Sequence, residues 1–309
     1  MGLASKTRAW IKASRITSQS YIALPLVLGQ MLATKQTGHW DWTIFAIVQA
    51  FGLFDQFYIV FANDVADYEA DQHNDAPTMF SGGSRVLVDQ DLTRRELAIG
   101  AVLMAGLALG CGALLTFGFG KLAALPLAAT GLILLWAYSY SPFKLSYRGG
   151  GELLQMLGVG AVLPLLGFAA QADTIADFPW AVLAMTLPAS LATAMCTALP
   201  DEPADRRADK HTTAVAWGLN KATSVIIGLN LIAMIAAGVI VTQRVSPGLD
   251  ANLTALLAVP TAASLVTVAL ARRARPGARA MLGFVFMGAL VNISLVTGLV
   301  VDLLGGSIP

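Results

Sequence analysis

The chain has 309 residues, 56% of them hydrophobic and only 13% charged, with 20 Lys and Arg against 19 Asp and Glu and a formal net charge of +1; its mean hydropathy is +0.66. A soluble domain carries about 25% charged residues, so this chain has too few polar groups to cover itself in water, and lipid is the solvent its composition fits. The net charge itself says little about partners, but the basic residues are dispersed and form no nucleic-acid stripe, so no nucleic-acid partner is expected.

Met1–Ser20 is basic and has no apolar stretch of the cleavable-leader kind, so the first span is expected to direct insertion itself. Trp10 and Ile11 among those basic residues predict a helix lying along the headgroups. Nine apolar runs near the bilayer-spanning length of ~20 residues follow: Ser18–Ala33, Trp42–Ala62, Leu97–Phe117, Leu122–Tyr140, Leu153–Ala170, Trp180–Leu199, Ala222–Val241, Leu253–Ala271 and Met281–Leu304. The first is short and holds Pro25. With a cytoplasmic N-terminus, seventeen of the 20 basic residues fall in inner segments, leaving only Lys35, Lys121 and Arg244 outside. Cys111 and Cys196 lie within apolar runs and have neither metal-ligand spacing nor any sign of a disulfide.

The expected fold is therefore an all-α integral membrane protein of nine transmembrane helices, residues 1–309 forming one domain. The string Ala-Asp-x-x-Ala-Asp occurs at Ala66–Asp71 and Ala204–Asp209, and Trp42 and Trp180 open the preceding spans at the same distance. This repeat predicts two four-helix halves plus a ninth helix around a central cavity. Outer connections are short, whereas two inner ones are long, residues 63–96 and 200–221. Long loops in a compact domain are usually functional or disordered.

Those two loops hold the acids Asp64, Asp67 and Asp71, and Asp201, Asp205 and Asp209. Acids three or four apart on a helix share a face, and six carboxylates on two such faces repel unless cations stand between them. Divalent metal is the first expectation, and Mg²⁺ usually completes its shell with substrate phosphates. If the second span continues as helix, Asn63, Asp67 and Asp71 stack, with Gln56 two turns deeper on nearly the same face. Asp55 is offset from that face, but a carboxylate inside a span is costly and usually functional. Tyr140 and Lys144 are four apart at the inner end of the fourth run, and Arg148 follows. Lysine meets a diphosphate as a point charge and arginine grips it bidentately. Ser81-Gly-Gly-Ser-Arg85 joins backbone freedom to a cation but lacks the Gly-Lys-Ser/Thr of a Walker loop. Arg206, Arg207 and Lys210 interleave with the second acid group, where positive-inside charge is the plain alternative for the arginines.

At these residues the chain resembles the UbiA-type intramembrane prenyltransferases. The Asn-Asp-x-x-Asp-x-x-x-Asp signature matches Asn63, Asp64, Asp67 and Asp71; Tyr-x-x-x-Lys matches Tyr140 and Lys144; the second Asp-x-x-x-Asp matches Asp201 and Asp205. The Gly-Gly-x-Arg-Val-Leu and Pro-Phe-x-Leu-x-Tyr-Arg-Gly-x-Gly-Glu stretches resemble the branch that prenylates 1,4-dihydroxy-2-naphthoate for menaquinone, and Arg15 resembles an arginine many members carry before the first span. Asp209, where members often have a small residue, and Leu199-Pro-Asp-Glu-Pro depart from the pattern.

The resemblance implies a multi-pass enzyme of the inner (cytoplasmic) membrane, with its active site on the cytoplasmic side, that moves a polyprenyl group from a polyprenyl diphosphate to an aromatic acceptor with Mg²⁺. Asp64, Asp67, Asp71, Asp201, Asp205 and Asp209 would face the metal. Asn63, Arg85, Lys144, Arg148 and Lys210 would face the diphosphate, and Asp55, Gln56 and Tyr140 would orient the acceptor or take its proton. Three alternatives stay open: prenylation of 4-hydroxybenzoate or another aromatic acid, a membrane terpene cyclase, and a transporter or cation channel that uses rings of acids.

Overall fold

A computed structural model describes residues 3–74, 77–78, 82–243 and 251–305; Ser81 of the glycine loop and Arg244 of the outer count lie outside these residues. All elements among them are helical. They run Leu3–Ser14 (α1), Ser20–Thr37 (α2), Trp42–Ala66 (α3), Tyr68–Gln72 (α4), Arg94–Ala113 (α5), Ala124–Ser139 (α6), Leu145–Arg148 (α7), Gly151–Leu157 (α8), Leu163–Ala172 (α9), Leu183–Ala198 (α10), Glu202–Arg207 (α11), Thr213–Trp217 (α12), Leu219–Thr242 (α13), Ala251–Leu270 (α14) and Arg279–Gly305 (α15).

Each of the nine apolar runs is helical, and seven helical stretches are long and apolar enough to cross a membrane: Trp42–Ala66, Arg94–Gly118, Gly151–Ala172, Trp180–Ala198, Leu219–Thr242, Leu256–Arg273 and Arg279–Leu304. The other two are α6, a shorter apolar helix, and α2, whose C-terminal half carries Gln30, Thr34, Lys35, Gln36 and Thr37. Among long helices with no hydrophobic drive to associate, close backbone approach and internal hydrogen bonds hold neighbours together. Gly29 on α2 and Gly167 on α9 supply the first: a Cβ on Gly29 would strike the Pro164 carbonyl oxygen, and one on Gly167 that of Leu26. α2 therefore runs unbroken through Pro25 and seats directly against α9. Gln49 Nε2 donates to Gln30 Oε1 at 3.1 Å, an amide pair between α3 and α2.

Caps set where the spans start. Asp41 accepts from the amides of Thr43 and Ile44 (2.7 and 3.1 Å) and opens α3. Its own backbone exchanges two bonds with the Gln171 side chain at the end of α9. Thr93 and Glu96 form a reciprocal capping box on α5. The fifth span contains a π turn at Gly158–Val162 between α8 and α9, and the Thr186 hydroxyl donates to the Gly160 carbonyl at 2.6 Å, meeting a carbonyl in the irregular stretch.

One expectation changes. α3 extends to Ala66, so Asn63 and Asp64 belong to the span helix and not to the loop; apolarity ends at Ala62 whereas backbone hydrogen bonding carries on through the polar rim. On α1, Trp10 meets Phe61 edge-on at 5.3 Å between centroids, while Ile11 is exposed. This contact docks α1 against α3 and aims the chain end at Arg15 toward the acids.

Candidate active site between the two acid clusters

α3 ends at the first cluster. Asp67 caps its C-terminus, donating its amide to the Asn63 carbonyl at 2.8 Å, and also precedes α4. The Asp71 amide bonds back to the Asp67 carbonyl at 2.9 Å, so the near-helical stacking of Asn63, Asp67 and Asp71 survives the break. Pro203 sits in the first turn of α11, which presents Asp201 and Asp205. The two clusters, 130 residues and more apart in sequence, meet through Lys210. Its Nζ lies 3.0 Å from Asp67 Oδ2 and 3.8 Å from Asp205 Oδ1. Asn74 adds a second link, donating to Asp201 Oδ1 at 2.8 Å. Arg15, arriving in the left-handed conformation, pairs with Asp64, which also accepts from the Ser84 hydroxyl and backbone amide. Gly83, at φ +66°, brings its backbone so close that a Cβ would collide with the Asp71 carboxylate.

These cations do not neutralise the acids. Burial, then the neighbouring Asp67 and Asp64 carboxylates, pushes Asp71 up to about 7, only partly countered by Arg15 and Lys210. Burial likewise pushes Asp205 up to about 7, opposed by Lys210 and reinforced by Asp201 and Asp67. Burial alone would lower the Lys210 ammonium, but Asp67, Tyr138 and Asp205 outweigh it and hold it well above its ordinary value. Asp67 Oδ1 and Asn63 Oδ1 are buried with no hydrogen-bond partner.

A cavity of about 640 Å³ is lined by α4 residues, by Lys144, Tyr147 and Arg148, and by Asp209 and His211, with Asp209 alone of the six acids on its wall. Six non-glycine residues among those described adopt positive φ, and Arg15, Arg85, Lys144 and Asp209 are four of them. Such strain costs of order 1 kcal/mol or more each and tends to collect at functional sites.

The UbiA prenyltransferase family profile matches residues 22–296, most of the chain. The chain belongs to the UbiA prenyltransferase family. No curated protein sequence matches it significantly. Among solved structures, a UbiA homologue from Aeropyrum pernix K1 in the apo state is 18% identical, with a TM-score of 0.68 over 92% of this chain and 97% of that one. A UbiA homologue from Archaeoglobus fulgidus bound to GPP and Mg²⁺ is 16% identical, with a TM-score of 0.65 over 95% and 99%. A structure described for digeranylgeranylglyceryl phosphate synthase in membranes reaches a TM-score of 0.64 at 16% identity, over 96% and 98%. At these identities the likeness shows a shared fold.

Within this UbiA-family chain the expected site residues do not all converge. Asp64, Asp67, Asp71, Asp201, Asp205 and Lys210 form the buried or part-buried centre described above. Lys144, Arg148 and Asp209 stand on the cavity wall; Asp209 is exposed, apart from the paired acids. Arg148 donates to the Pro142 carbonyl at 2.9 Å. Arg85 turns to the Asn74 carbonyl (3.3 Å) and Asp89 (3.7 Å) and is not on that wall. Tyr140 donates its hydroxyl to the Ala62 carbonyl at 2.8 Å, tying α6 to α3. Asp55 and Gln56 are both buried on α3, roughly 12 Å of helix rise below the acids, and Asp55 Oδ1 has no partner. Asn74 and Thr212 escaped sequence reading, and Ser84 and Tyr147 stood inside quoted stretches without a role of their own. Each is a common polar residue whose role comes only from the neighbour that folding supplies, such as Thr212 donating to Asp205 Oδ2 at 3.3 Å.

The donor set fits Mg²⁺. All candidates are hard oxygens, one of them the orphaned Asp67 Oδ1. Among the described residues no three His, Cys, Asp or Glu side chains already stand together as a closed metal cage; Mg²⁺ characteristically takes one or two carboxylates and completes its shell with substrate phosphates.

Proposed function

We propose that this chain transfers a polyprenyl group from a polyprenyl diphosphate to 1,4-dihydroxy-2-naphthoate in an Mg²⁺-dependent step of menaquinone biosynthesis. The observation that carries the chemistry is the pairing of the two acid clusters across Lys210, with Asp67 at 3.0 Å and Asp205 at 3.8 Å. Acid in excess of its cations, together with a cavity walled by Lys144 and Arg148, suits a metal-diphosphate headgroup. The family and the Mg²⁺-bound, GPP-bound homologue from Archaeoglobus fulgidus support the same reading. The naphthoate assignment rests on the Gly82-Gly83-Ser84-Arg85-Val86-Leu87 and Pro142–Glu152 stretches.

When bound, Mg²⁺ would neutralise the diphosphate and stabilise it as a leaving group. Asp64, Asp67, Asp71, Asp201 and Asp205 hold that charge in place, with Asp209 at the exposed edge. Lys144, Arg148 and Lys210 contribute charge-assisted contacts to the diphosphate; Asn63 joins them from the helix, and Arg85 would join them only by leaving Asn74 and Asp89. The apolar bundle keeps water from the allylic cation left by ionisation of the C–O bond. Asp55, Gln56 and Tyr140 orient the aromatic ring or accept the proton that its attacking carbon sheds, and as the ring carboxylate departs as CO₂ a proton takes its place on the ring carbon. We assign nine transmembrane helices in one domain spanning residues 1–309, with the N-terminus and the acid rims on the cytoplasmic side of the inner membrane, on the lopsided distribution of Lys and Arg.

Purified protein offered a polyprenyl diphosphate and a panel of aromatic acids, with and without Mg²⁺, tests this. Prenylated naphthoquinol and diphosphate release only with Mg²⁺ and 1,4-dihydroxy-2-naphthoate are expected. Asp67→Asn and Asp205→Asn should each lower turnover at least a hundredfold, about 2.7 kcal/mol of barrier. Prenylated 4-hydroxybenzoate, a cyclised product without acceptor, or undiminished turnover in both variants would contradict it.

A further inference from the structure

Tyr147 is absent from the roles assigned above, yet both lysines aimed at the diphosphate stand on it. Lys144 Nζ lies 3.7 Å from the centroid of its ring and Lys210 Nζ lies 5.4 Å from the same centroid. Both distances are within the ~6 Å reach of cation–π attraction, which strengthens when the pair is removed from water. Lys210 is buried and Tyr147 is half-buried on the cavity wall, so the ring works where water competes least. Two ammonium groups drawn to one ring would otherwise repel each other, and a flexible four-carbon stem loses much rotamer freedom when held still.

The backbone at the same residue fixes the second lysine's segment. The Tyr147 carbonyl accepts the His211 amide at 3.0 Å, directly after Lys210, and the His211 ring nitrogen Nδ1 is 3.1 Å from the same oxygen. Glu152, five residues after Tyr147, accepts from the amide and hydroxyl of Thr213, two residues after His211, at 2.7 and 2.8 Å. The segment after the fourth apolar run and the segment after the sixth are thereby locked in register, with the Tyr147 ring at the point where their lysines meet.

The geometry points to Tyr147 as a positioning residue: its ring sets Lys144 and Lys210 at one spacing against the substrate diphosphate. This rests on the diphosphate reading of the site. The two ammonium groups stand on the ring, while the hydroxyl bonds the Asp67 side chain; phenylalanine keeps the ring contacts, so it should lose far less than an aliphatic residue of similar bulk.

The test measures affinity for a non-hydrolysable farnesyl thiolodiphosphate with Mg²⁺ by calorimetry in detergent, together with steady-state kinetics. Tyr147→Phe should stay within about threefold of the native protein, whereas Tyr147→Leu and Tyr147→Met should bind the analogue roughly ten- to thirtyfold more weakly, the range two cation–π contacts span. KM for the prenyl diphosphate should rise with KM for the acceptor unchanged, and the loss should shrink severalfold in a Lys144→Met background, because ring and lysine act as one unit. Two aliphatic variants guard against one that fails to fold. Equal affinity in the phenylalanine and aliphatic variants, a parallel rise in both KM values, or full additivity with Lys144→Met would overturn the assignment of Tyr147 while leaving the diphosphate site intact. No binding of the analogue by the native protein would overturn both.

Discussion

Asp71 and Asp205 put the chemistry of the site on a pH scale. Both carboxyls are held up to about 7, by burial first and neighbouring acids second, against about 3.9 for an unfolded aspartate. Between about pH 4 and pH 7 the folded, metal-free chain keeps protons that the unfolded chain has lost, so its stability should fall as pH rises through that window. Mg²⁺ requires the ionised form, and its stabilising effect should grow over the same range. Thermal melts in detergent at pH 5 and pH 8, with EDTA and with Mg²⁺, check this. An Mg²⁺-induced shift that is larger at pH 5 would contradict it. The acids themselves were legible in the sequence because their three- and four-residue spacing is a local property. Arg15, Asn74, Ser84 and Tyr147 were not legible as one site, since Arg15 lies 49 residues before the Asp64 it pairs with and Asn74 127 residues before Asp201. Arg85 illustrates the converse: its Gly-Gly-Ser-Arg setting reads as a phosphate contact, and only the fold shows that without substrate it rests on Asn74 and Asp89.

At the scale of elements, α2 and α9 show why apolar periodicity locates spans but not their partners. Pro25 and a polar C-terminal half make α2 the weakest span by composition, yet Gly29 and Gly167 seat it directly on α9. Gly167→Ala would force a methyl group against the Leu26 carbonyl, and backbone cannot yield as a flexible side chain can. Overpacking of this kind costs about 1–3 kcal/mol, and the melting temperature should drop while a control Gly228→Ala, where a Cβ meets nothing within 4 Å, should leave it unchanged. Equal melting of the two variants would show that α2 and α9 do not touch as described. Span ends were misjudged where hydrogen bonding outlasts apolarity: α3 continues past Ala62 to Ala66, carrying Asn63 and Asp64 with it. The π turn at Gly158–Val162 had no sequence signal beyond its glycines.

For the whole molecule, hydropathy alone revealed that every apolar run is a helix, and the family profile over residues 22–296 accords with that architecture. An odd number of spans puts the two termini on opposite sides of the membrane. Reporter fusions or cysteine accessibility should find the N-terminus cytoplasmic and the C-terminus outside; termini on one side would contradict nine spans. The account depends most on the meeting of the two acid clusters, Asp64, Asp67 and Asp71 with Asp201 and Asp205. The most direct measurement is a structure of the protein with Mn²⁺ and a farnesyl thiolodiphosphate, read by anomalous scattering. The expected result is metal density between the diphosphate and carboxylates of both clusters, with Lys210 moved from Asp67 onto the diphosphate. A diphosphate bound with no ion beside either cluster, or an ion bound elsewhere, would contradict it.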